Sequence, residues 1–387
     1  MTVAGFTSTG SKRPTSLFGA AGGDDLPLRM SRSEGARLWD DTGCEYLDFV
    51  MALGAVTLGY GHPAVRDAAR LAVDRGVVGS LPPVEEEQLA ERLRAVAPWV
   101  ERVRFLKTGA EAIAAAVRLA RASTGRTKVL GCGYHGWLDL ASRDAGVPEA
   151  VRLLYDTIPF GDAERTRAMI REVGDGLAAV VVEPVVDGPP PDEWLRILRA
   201  ETQRVGAVLV FDEIKTGFRV ALGGAVERWG TVPDLVVYGK ALANGFPLAA
   251  VGGRADLMEW VNRTWISSTL ATEFVALAAA RASLDETERA RVPEHLRTVG
   301  ERLERGLRRL AAAHPRLVTG FRGIAEMGYL AFATEEAGAA VAVEMAHRGI
   351  LFKRTAYNFV SLAHGPEQVD QCLGALDESL GAVARRE

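Results

Sequence analysis

The chain has 387 residues, of which 48% are hydrophobic and 25% charged, and its formal net charge is −4. This composition predicts a globular protein with two or three domains and a large core. It excludes a nucleic-acid surface, because acids slightly exceed bases and the arginines are dispersed among glutamates. No run approaches the roughly 18 consecutive apolar residues of a membrane span. We therefore expect neither nucleic-acid nor membrane partners.

The cysteines are Cys44, Cys132 and Cys372, an odd and scattered set. Their spacing fits neither a disulfide framework nor a zinc site. We therefore predict no metal and a reducing, cytoplasmic location.

Lysine is scarce among the 46 basic residues, since only six are lysines and 40 are arginines. The lysines are Lys12, Lys107, Lys128, Lys215, Lys240 and Lys353. Each of them can therefore be considered singly as a candidate reactive amine.

The predicted elements begin with a small antiparallel strand pair at 36–39 and 46–50, joined by an Asp-Thr-Gly turn. Amphipathic helices follow at 63–75 and 84–96. Strands and helices then alternate. Strands are predicted at 103–106, 128–130, 177–182, 207–211, 235–238 and 249–252, and helices at 110–122, 163–173, 194–205 and 274–284. The nearly continuous apolar runs among these strands are typical of a parallel sheet buried on both faces, so the alternation predicts an α/β fold.

The last third of the chain has a different pattern. Helices are predicted at 294–313, 335–348 and 366–382, and short strands at 316–319 and 328–332. This pattern indicates a separate α+β unit, which the N-terminal strands are expected to join. We predict an N-terminal segment at 1–61, a large domain at 62–284 and a C-terminal small domain at 285–387.

Polar and glycine residues follow four of the predicted parallel strands. They are Lys107 to Gly109, Glu183 and Pro184, Asp212 and Glu213, and Gly239 and Lys240. Each set taken alone is more simply explained as a turn or a helix cap. Ligands bind beyond the carboxyl ends of strands in open parallel sheets, and all four sets fall on that one edge. Their coincidence predicts a ligand site.

The residue types at this edge suit pyridoxal phosphate. A strand-end lysine such as Lys240 is partly desolvated, which lowers its pKa and makes the nucleophilic amine available for a Schiff base. A carboxylate at a neighbouring strand end would hold a pyridinium nitrogen protonated. Thr108, Gly109 and Ala110 lie where a strand turns into a helix, and their N–H groups suit a phosphate. Tyr134 offers an aromatic face to a flat ring.

Motifs of several other enzyme classes are missing from the sequence. There is no G-x-x-x-x-G-K-[ST], no H-E-x-x-H and no G-x-S-x-G. The pattern G-x-G-x-x-G occurs once, as GCGYHG at 131–136 after the predicted strand at 128–130, but no helix is predicted directly after it. A dinucleotide-dependent dehydrogenase needs this pattern to open a helix and is therefore disfavoured.

Ordered sequence blocks extend along nearly the whole chain. They include LGYGHPAV at 58–65, KTGAEA at 107–112, YHGWLD at 134–139, FDEIKTGFR at 211–219, PDLVVYGKALANGFPLAAVGG at 233–253 and NFVSLAH at 358–364. With these blocks the chain resembles the class III aminotransferases of the fold type I pyridoxal phosphate enzymes, in the neighbourhood of the glutamate-1-semialdehyde aminomutases. The resemblance implies a large domain with a mostly parallel seven-stranded sheet and a smaller α+β domain formed by the two chain ends.

The resemblance also implies roles for single residues. Lys240 would form the Schiff base, Asp212 would pair with the pyridine nitrogen, and Gly109 and Ala110, next to Thr108, would bind the phosphate.

Further cofactor contacts follow from the same positions. Tyr134 would cover one face of the ring and Ile214 the other, with Glu183 and His135 supporting them. Thr269 matches a threonine that reaches the phosphate of the neighbouring subunit, so the resemblance implies a homodimer with shared sites.

The substrate-binding positions depart from the aminomutase pattern. Ser16 falls approximately where the aminomutases have an arginine for the substrate carboxylate, which weakens that interpretation. Tyr357 and Asn358 are neutral polar groups that would suit a hydroxylated or sugar-like acceptor. Lys215 is expected to be a solvated loop residue.

We therefore predict a transaminase that moves an amino group from an amino acid donor to a ketone or aldehyde, in specialised biosynthesis. The alternative is an intramolecular aminomutase of the glutamate-1-semialdehyde type, which needs no separate donor. A pyridoxal phosphate-binding protein without catalysis is a third interpretation, and the presence of both Lys240 and Asp212 argues against it.

Overall fold

The computed structural model describes residues 2–20 and 25–386. Its contacts divide the chain into two compact units. The larger unit is Pro63–Pro293, and the smaller combines Met1–His62 with Glu294–Glu387. Both chain ends therefore belong to the smaller unit.

The bounds of the strands and helices are as follows. The strands are β1 Met30–Glu34, β2 Arg37–Asp40, β3 Glu45–Asp48, β4 Arg102–Leu106, β5 Lys128–Cys132, β6 Tyr155–Thr157, β7 Leu177–Val182, β8 Val208–Asp212, β9 Leu235–Tyr238, β10 Ala249–Gly253, β11 Val318–Ile324, β12 Met327–Phe332, β13 Ile350–Leu351 and β14 Asn358–Phe359. The helices are α1 Pro14–Phe18, α2 Met51–Gly54, α3 Pro63–Asp74, α4 Val84–Val96, α5 Gly109–Thr124, α6 Glu149–Arg152, α7 Ala163–Val173, α8 Asp192–Val205, α9 Gly224–Trp229, α10 Ala255–Met258, α11 Val261–Thr264, α12 Phe274–Arg289, α13 Val292–Ala313, α14 Glu335–His347 and α15 Pro366–Ala384. Within the two described stretches, none of these helices has the length and apolarity needed to cross a membrane.

A seven-stranded sheet forms the centre of the larger unit, in the order β4-β10-β9-β8-β7-β5-β6. Strand β10 is antiparallel to both of its neighbours, and the other adjacent pairs are parallel. Every residue of β7 and β8 is buried, as expected for apolar strands covered on both faces. The predicted α/β fold with a mostly parallel seven-stranded sheet is confirmed.

The strand register brings the carboxyl ends to one edge of this sheet. Cys132 of β5 pairs with Val182 of β7, which in turn pairs with Phe211 of β8. Because β10 runs antiparallel between β4 and β9, the last residues of those strands, Leu106 and Tyr238, end on that edge as well. Loops that leave these strands therefore start close together, as the rule for open α/β sheets requires.

Helix α5 begins directly after β4 because its first turn is capped on both sides. The Thr108 side chain accepts a hydrogen bond from the Glu111 amide, and the Glu111 carboxylate accepts one from the Thr108 amide. The helix ends at Gly125, whose left-handed backbone favours glycine. Its apolar face, which includes Ile113 and Leu119, is buried in the core beneath the sheet.

The end of the larger unit lies beyond residue 284. Helix α12 continues to Arg289 and packs against α3 and α4, so the residues up to Pro293 stay with the larger unit.

The smaller unit has two sheets, ordered β1-β2-β3-β13 and β11-β12-β14. Strand β13, from the C-terminal part of the chain, pairs in parallel with β3 from the N-terminal part. This pairing makes one α+β unit out of the two chain ends.

Candidate functional site

Asp212 and His135 form a buried pair at the carboxyl edge of the large sheet. Asp212 is the last residue of β8, and its Oδ2 lies 2.8 Å from Nδ1 of His135, which follows β5. Its Oδ1 accepts a hydrogen bond of 3.1 Å from the Ile214 amide. Burial alone would lower the pKa of His135, but the hydrogen bond and charge of Asp212 outweigh burial and raise that pKa above its ordinary value. The hydrogen bond to His135 therefore holds the Asp212 carboxylate in place.

Lys240 lies in a strained backbone conformation just after β9. Its φ of 44° is in the left-handed region, which is unusual for a residue other than glycine and is common at functional sites. It begins the 3-10 turn Lys240–Ala243, and the Ser283 hydroxyl anchors this turn by donating a 3.0 Å hydrogen bond to the Ala241 carbonyl. The turn fixes the position of the half-buried lysine.

The electrostatic surroundings of Lys240 favour its neutral form. Burial and the positive charge of Lys215 lower the pKa of Lys240 to about 8, although the carboxylates of Glu183 and Asp212 act in the opposite direction. A lysine with this pKa has a far larger neutral fraction near pH 7 than an ordinary lysine. Its amine is thus available as a nucleophile and as a proton acceptor.

Lys215 is not the solvated loop residue that the sequence led us to expect; that prediction is wrong. Its Nζ lies 2.8 Å from Oε2 of Glu183, and the two side chains are only 13% and 6% exposed. Gly133 makes room for Glu183, because a Cβ at this glycine would stand 2.6 Å from the glutamate Cγ. The sequence places both Glu183 and Lys215 just after predicted parallel strands, which is the signal that could have brought them to one edge of the sheet.

The start of helix α5 has the properties of an anion site. The N–H groups of Gly109 and Ala110 lie in its first turn, where backbone amides have no partner within the helix. The positive end of the helix dipole is located there. A Cβ at Gly109 would be 2.5 Å from Cδ1 of Ile214, so glycine lets the Ile214 side chain lie close against this turn. Thr108 supplies the cap.

Tyr134 and Thr269 lie at the surface of the larger unit. Tyr134 is 71% exposed and directly precedes His135, so the faces of its ring are open. Thr269 is exposed at the start of the 3-10 turn Thr269–Thr272. Neither side chain contacts the Asp212 pair in the described parts of the chain.

The three predicted substrate residues belong to the smaller unit. The Ser16 hydroxyl donates a 2.9 Å hydrogen bond to a backbone carbonyl in the preceding turn. Tyr357 is buried with its ring edge-on to Tyr329. The Asn358 carboxamide accepts from the Lys353 amide at 2.6 Å and donates to the Lys353 carbonyl at 3.0 Å. Asn358 therefore fixes the loop that precedes it.

The residues at the sheet edge fit pyridoxal phosphate. The site combines an amine of lowered pKa at Lys240, the buried Asp212 carboxylate suited to a ring nitrogen, and the amides at the start of α5 suited to a phosphate. Ile214 and Tyr134 supply apolar surface for a flat ring. In the described residues no group of three or more His, Cys, Asp or Glu side chains is arranged to hold a metal ion.

Comparison with known proteins gives matches along almost the whole chain. The family model for class III aminotransferases matches residues 18–380. The glutamate-1-semialdehyde 2,1-aminomutase of Neisseria gonorrhoeae is 34% identical, over 97% of this chain and 96% of its own. The enzyme of that name from Pyrobaculum calidifontis is 35% identical, over 93% and 89%. Among solved structures, the FumI protein of a Sphingopyxis species, in its PLP internal aldimine form, matches with a TM-score of 0.90 and 27% identity, over 96% and 91%.

These relatives correct the predicted reaction. The curated relatives matched at 32–35% identity over most of the chain are named aminomutases. The prediction of a transaminase with a separate amino acid donor and carbonyl acceptor is therefore wrong, and the aminomutase alternative is the one that the relatives favour.

The cofactor and the family follow from the same matches. The FumI structure contains PLP, and the family model covers residues 18–380, which include the sheet edge that carries Lys240 and Asp212. The protein is a pyridoxal phosphate-dependent enzyme and belongs to the class III aminotransferase family.

Proposed function

We propose that this protein is an intramolecular aminomutase that moves an amino group between neighbouring carbons of a substrate of the glutamate-1-semialdehyde type. The observation that carries this proposal is the similarity to aminomutases over 92–97% of the chain. An intramolecular shift needs no second substrate. It converts an amino aldehyde into the isomeric amino ketone.

In this proposal the residues at the sheet edge hold pyridoxal phosphate. Lys240 would bind it covalently through Nζ, Asp212 would pair with its ring nitrogen, and the Gly109 and Ala110 amides would bind its phosphate. The cofactor supplies an electron sink that makes the carbon next to the substrate nitrogen acidic. His135, held at 2.8 Å, keeps the Asp212 carboxylate oriented.

Lys240 would also transfer protons. Its Nζ, when neutral, would accept a proton from a substrate carbon, and when protonated it would return a proton. Over one turnover, the carbon that carries the amino group loses one hydrogen, and the carbonyl carbon that receives the amino group gains one. A pKa of about 8 suits both steps near neutral pH, because the amine is then neither permanently protonated nor a strong base. The four-carbon stem gives the amine the reach that two neighbouring carbons require.

We further propose a homodimer in which Thr269 contributes to the site of the neighbouring subunit. Large apolar side chains are exposed on the larger unit, and a second subunit would cover them. They include Leu81, Val84, Trp137, Trp265 and Leu270. Light scattering would give the mass in solution. Thr269→Ala is expected to weaken cofactor binding about tenfold, as the loss of one hydrogen bond to a phosphate would.

The domain limits and the cellular location remain part of this proposal. We assign cofactor binding to the larger unit, Pro63–Pro293, which extends nine residues beyond the predicted limit of 284, and the small domain to the two flanking segments. The three cysteines are free, which supports a reducing, cytoplasmic location.

Turnover without an amino donor tests the proposed reaction. The purified protein loaded with cofactor should isomerise glutamate-1-semialdehyde to the amino ketone, with nitrogen-15 glutamate added as a control. We expect product without the label. A requirement for glutamate, or label in the product, would show that the amino group comes from a separate donor and would overturn the proposal.

A further inference from the structure

The loop after β8 brings a second lysine to the site. A Cβ at Gly239 would be 3.5 Å from Cγ2 of Ile214, and one at Gly217 would be 2.7 Å from the Tyr238 ring. These two contacts involve Tyr238 and Gly239, which directly precede Lys240. The loop segment between Ile214 and Gly217 is thus packed against the start of the Lys240 turn.

Lys215 lies in this packed segment with its charge fixed. Its Nζ is bound to the Glu183 carboxylate at 2.8 Å, and its backbone carbonyl accepts a 3.2 Å hydrogen bond from Nε of the buried Arg219. Because its ammonium group and its backbone carbonyl are both hydrogen-bonded, this largely buried side chain cannot turn into solvent as a surface lysine does. Its field is also weakly screened there, because little water surrounds it.

We propose that Lys215 is a positioning residue that raises the neutral fraction of the Lys240 amine, by holding a positive charge against Glu183 at the same edge of the sheet. The inference rests on the proposed role of Lys240 as the cofactor-binding amine. Lys215 acts in two ways, and both disfavour a proton on Lys240. Its own charge repels a proton on Lys240, and its pairing neutralises a carboxylate that would attract one.

The other charges near Lys240 do not remove this effect. The charged groups that act on Lys240 are Lys215, Glu183, Asp212 and Arg219, with His135 bound to Asp212. Asp212 lies 2.8 Å from His135, and Glu183 lies 2.8 Å from Lys215. Both carboxylates that act on Lys240 therefore have a partner of their own.

Competitive acetylation tests the inference without substrate or cofactor. The full-length, cofactor-free protein is labelled with acetic anhydride across the neutral to alkaline range, and the labelled peptides are quantified by mass spectrometry. With six lysines in the chain, each one can be followed separately. The labelling midpoint of Lys240 in the wild type is expected near pH 8.

Three single variants separate an effect of the Lys215 charge on the Lys240 midpoint from other effects of substitution. Lys215→Met should move the Lys240 midpoint upward by about one pH unit, a tenfold drop in labelling rate below the midpoint. Lys215→Arg should keep the wild-type midpoint, because the charge stays at Glu183. Lys128→Met, at the opposite end of β5, is the matched control and should change nothing. An unchanged midpoint in Lys215→Met, or equal shifts in the Met and Arg variants, would overturn the inference.

Two variants cover the case in which Lys215→Met does not fold. Glu183→Gln should lower the Lys240 midpoint, and the double variant Lys215→Met with Glu183→Gln should lie between the two single variants. A rise in Glu183→Gln would also overturn the inference. Failure of the donor-free isomerisation would leave all these midpoints unaffected, so the proposed function and this inference can fail separately.

Discussion

Two buried histidines show how the carboxyl edge of the large sheet differs from the polar core of the smaller unit. His135 faces the Asp212 carboxylate, and its pKa is raised in spite of burial. At His364, burial lowers the pKa to about 4. The Ser361 amide donates to His364 Nδ1 at 3.0 Å, and His364 Nε2 donates to a backbone carbonyl at 3.1 Å. The second histidine is therefore held as a neutral ring.

The two regions differ in the partners to which their buried polar side chains are hydrogen-bonded. Around His364, buried polar side chains bind backbone groups and neutral hydroxyls: Asp48 accepts from the amides of Val50 and Met51 at 2.7 and 3.2 Å and from the Tyr60 hydroxyl at 2.6 Å. Such bonds satisfy the groups that folding buries, and they fix chain segments. At the sheet edge, charged side chains instead face one another. Burial alone thus does not mark a functional group, whereas a set of charges that bind each other at a strand end does.

Removing Lys240 should have the largest effect on activity. Lys240→Ala is expected to lower turnover by about 10³-fold or more, because the covalent attachment and the proton carrier are lost together. The visible absorbance of the bound cofactor should change too, while the unfolding midpoint stays near the wild-type value. Lys128→Ala is the control, and it should retain full activity. Substantial turnover in Lys240→Ala would overturn the assignment.

Asp212→Asn should make the pKa of His135 shift in the same direction as that of His364. Without the carboxylate, burial is the main influence left on His135, so its pKa should fall below the ordinary value, as that of His364 does. The chain has only six histidines, so NMR titration can follow each ring. Turnover should fall by about 10² to 10⁴-fold, because the ring nitrogen loses its anionic partner. A His135 pKa that stays raised would mean that Asp212 is not its cause.

The pH dependence of stability should have opposite signs at the two histidines. The pKa of His364 is about 4 when folded and about 6.5 when unfolded, so the unfolded chain binds more protons between these values. His364 therefore costs stability as pH falls from about 6.5 to 4, by up to about 3 kcal/mol. His135 has a raised pKa, so its contribution is complete below about pH 6.5 and is lost as pH rises through the folded pKa.

Urea unfolding of two variants measures these signs. His364→Asn should flatten the acid side of the stability profile, and His135→Asn should lower stability more at pH 6 than at pH 9. If the two variants changed the pH dependence of stability in the same way, the opposite signs expected for His364 and His135 would be contradicted.

The large sheet was predictable because its buried strands are apolar runs with polar ends. Strands β7 and β8 correspond closely to such runs. The three-residue strand β6 was not found, since an edge strand of that length has too few residues to show a period. The meeting of Asp212 and His135, 77 residues apart in the chain, follows from the strand order and not from local sequence.

Lys215 was misassigned for a related reason. A charged residue in a loop is usually solvated, and only the packing of that loop against the start of the Lys240 turn excludes water from it. Such packing depends on glycines at 133 and 217, whose missing Cβ atoms make the close approaches possible. A sequence shows these glycines but not what approaches them.

The smallest expected effect concerns two matched helix caps, one in each region. Thr108 caps α5 by accepting from the Glu111 amide at 3.2 Å, and Thr334 caps α14 by accepting from the Ala337 amide at 3.1 Å. Replacing either threonine by alanine should cost about 1 kcal/mol of stability, because one amide at the start of the helix loses its acceptor. Thr108→Ala should in addition weaken cofactor binding several-fold, since its helix start carries the proposed phosphate amides. Thermal unfolding and cofactor titration measure the two effects, and equal cofactor affinity in both variants would argue against a phosphate site at the start of α5.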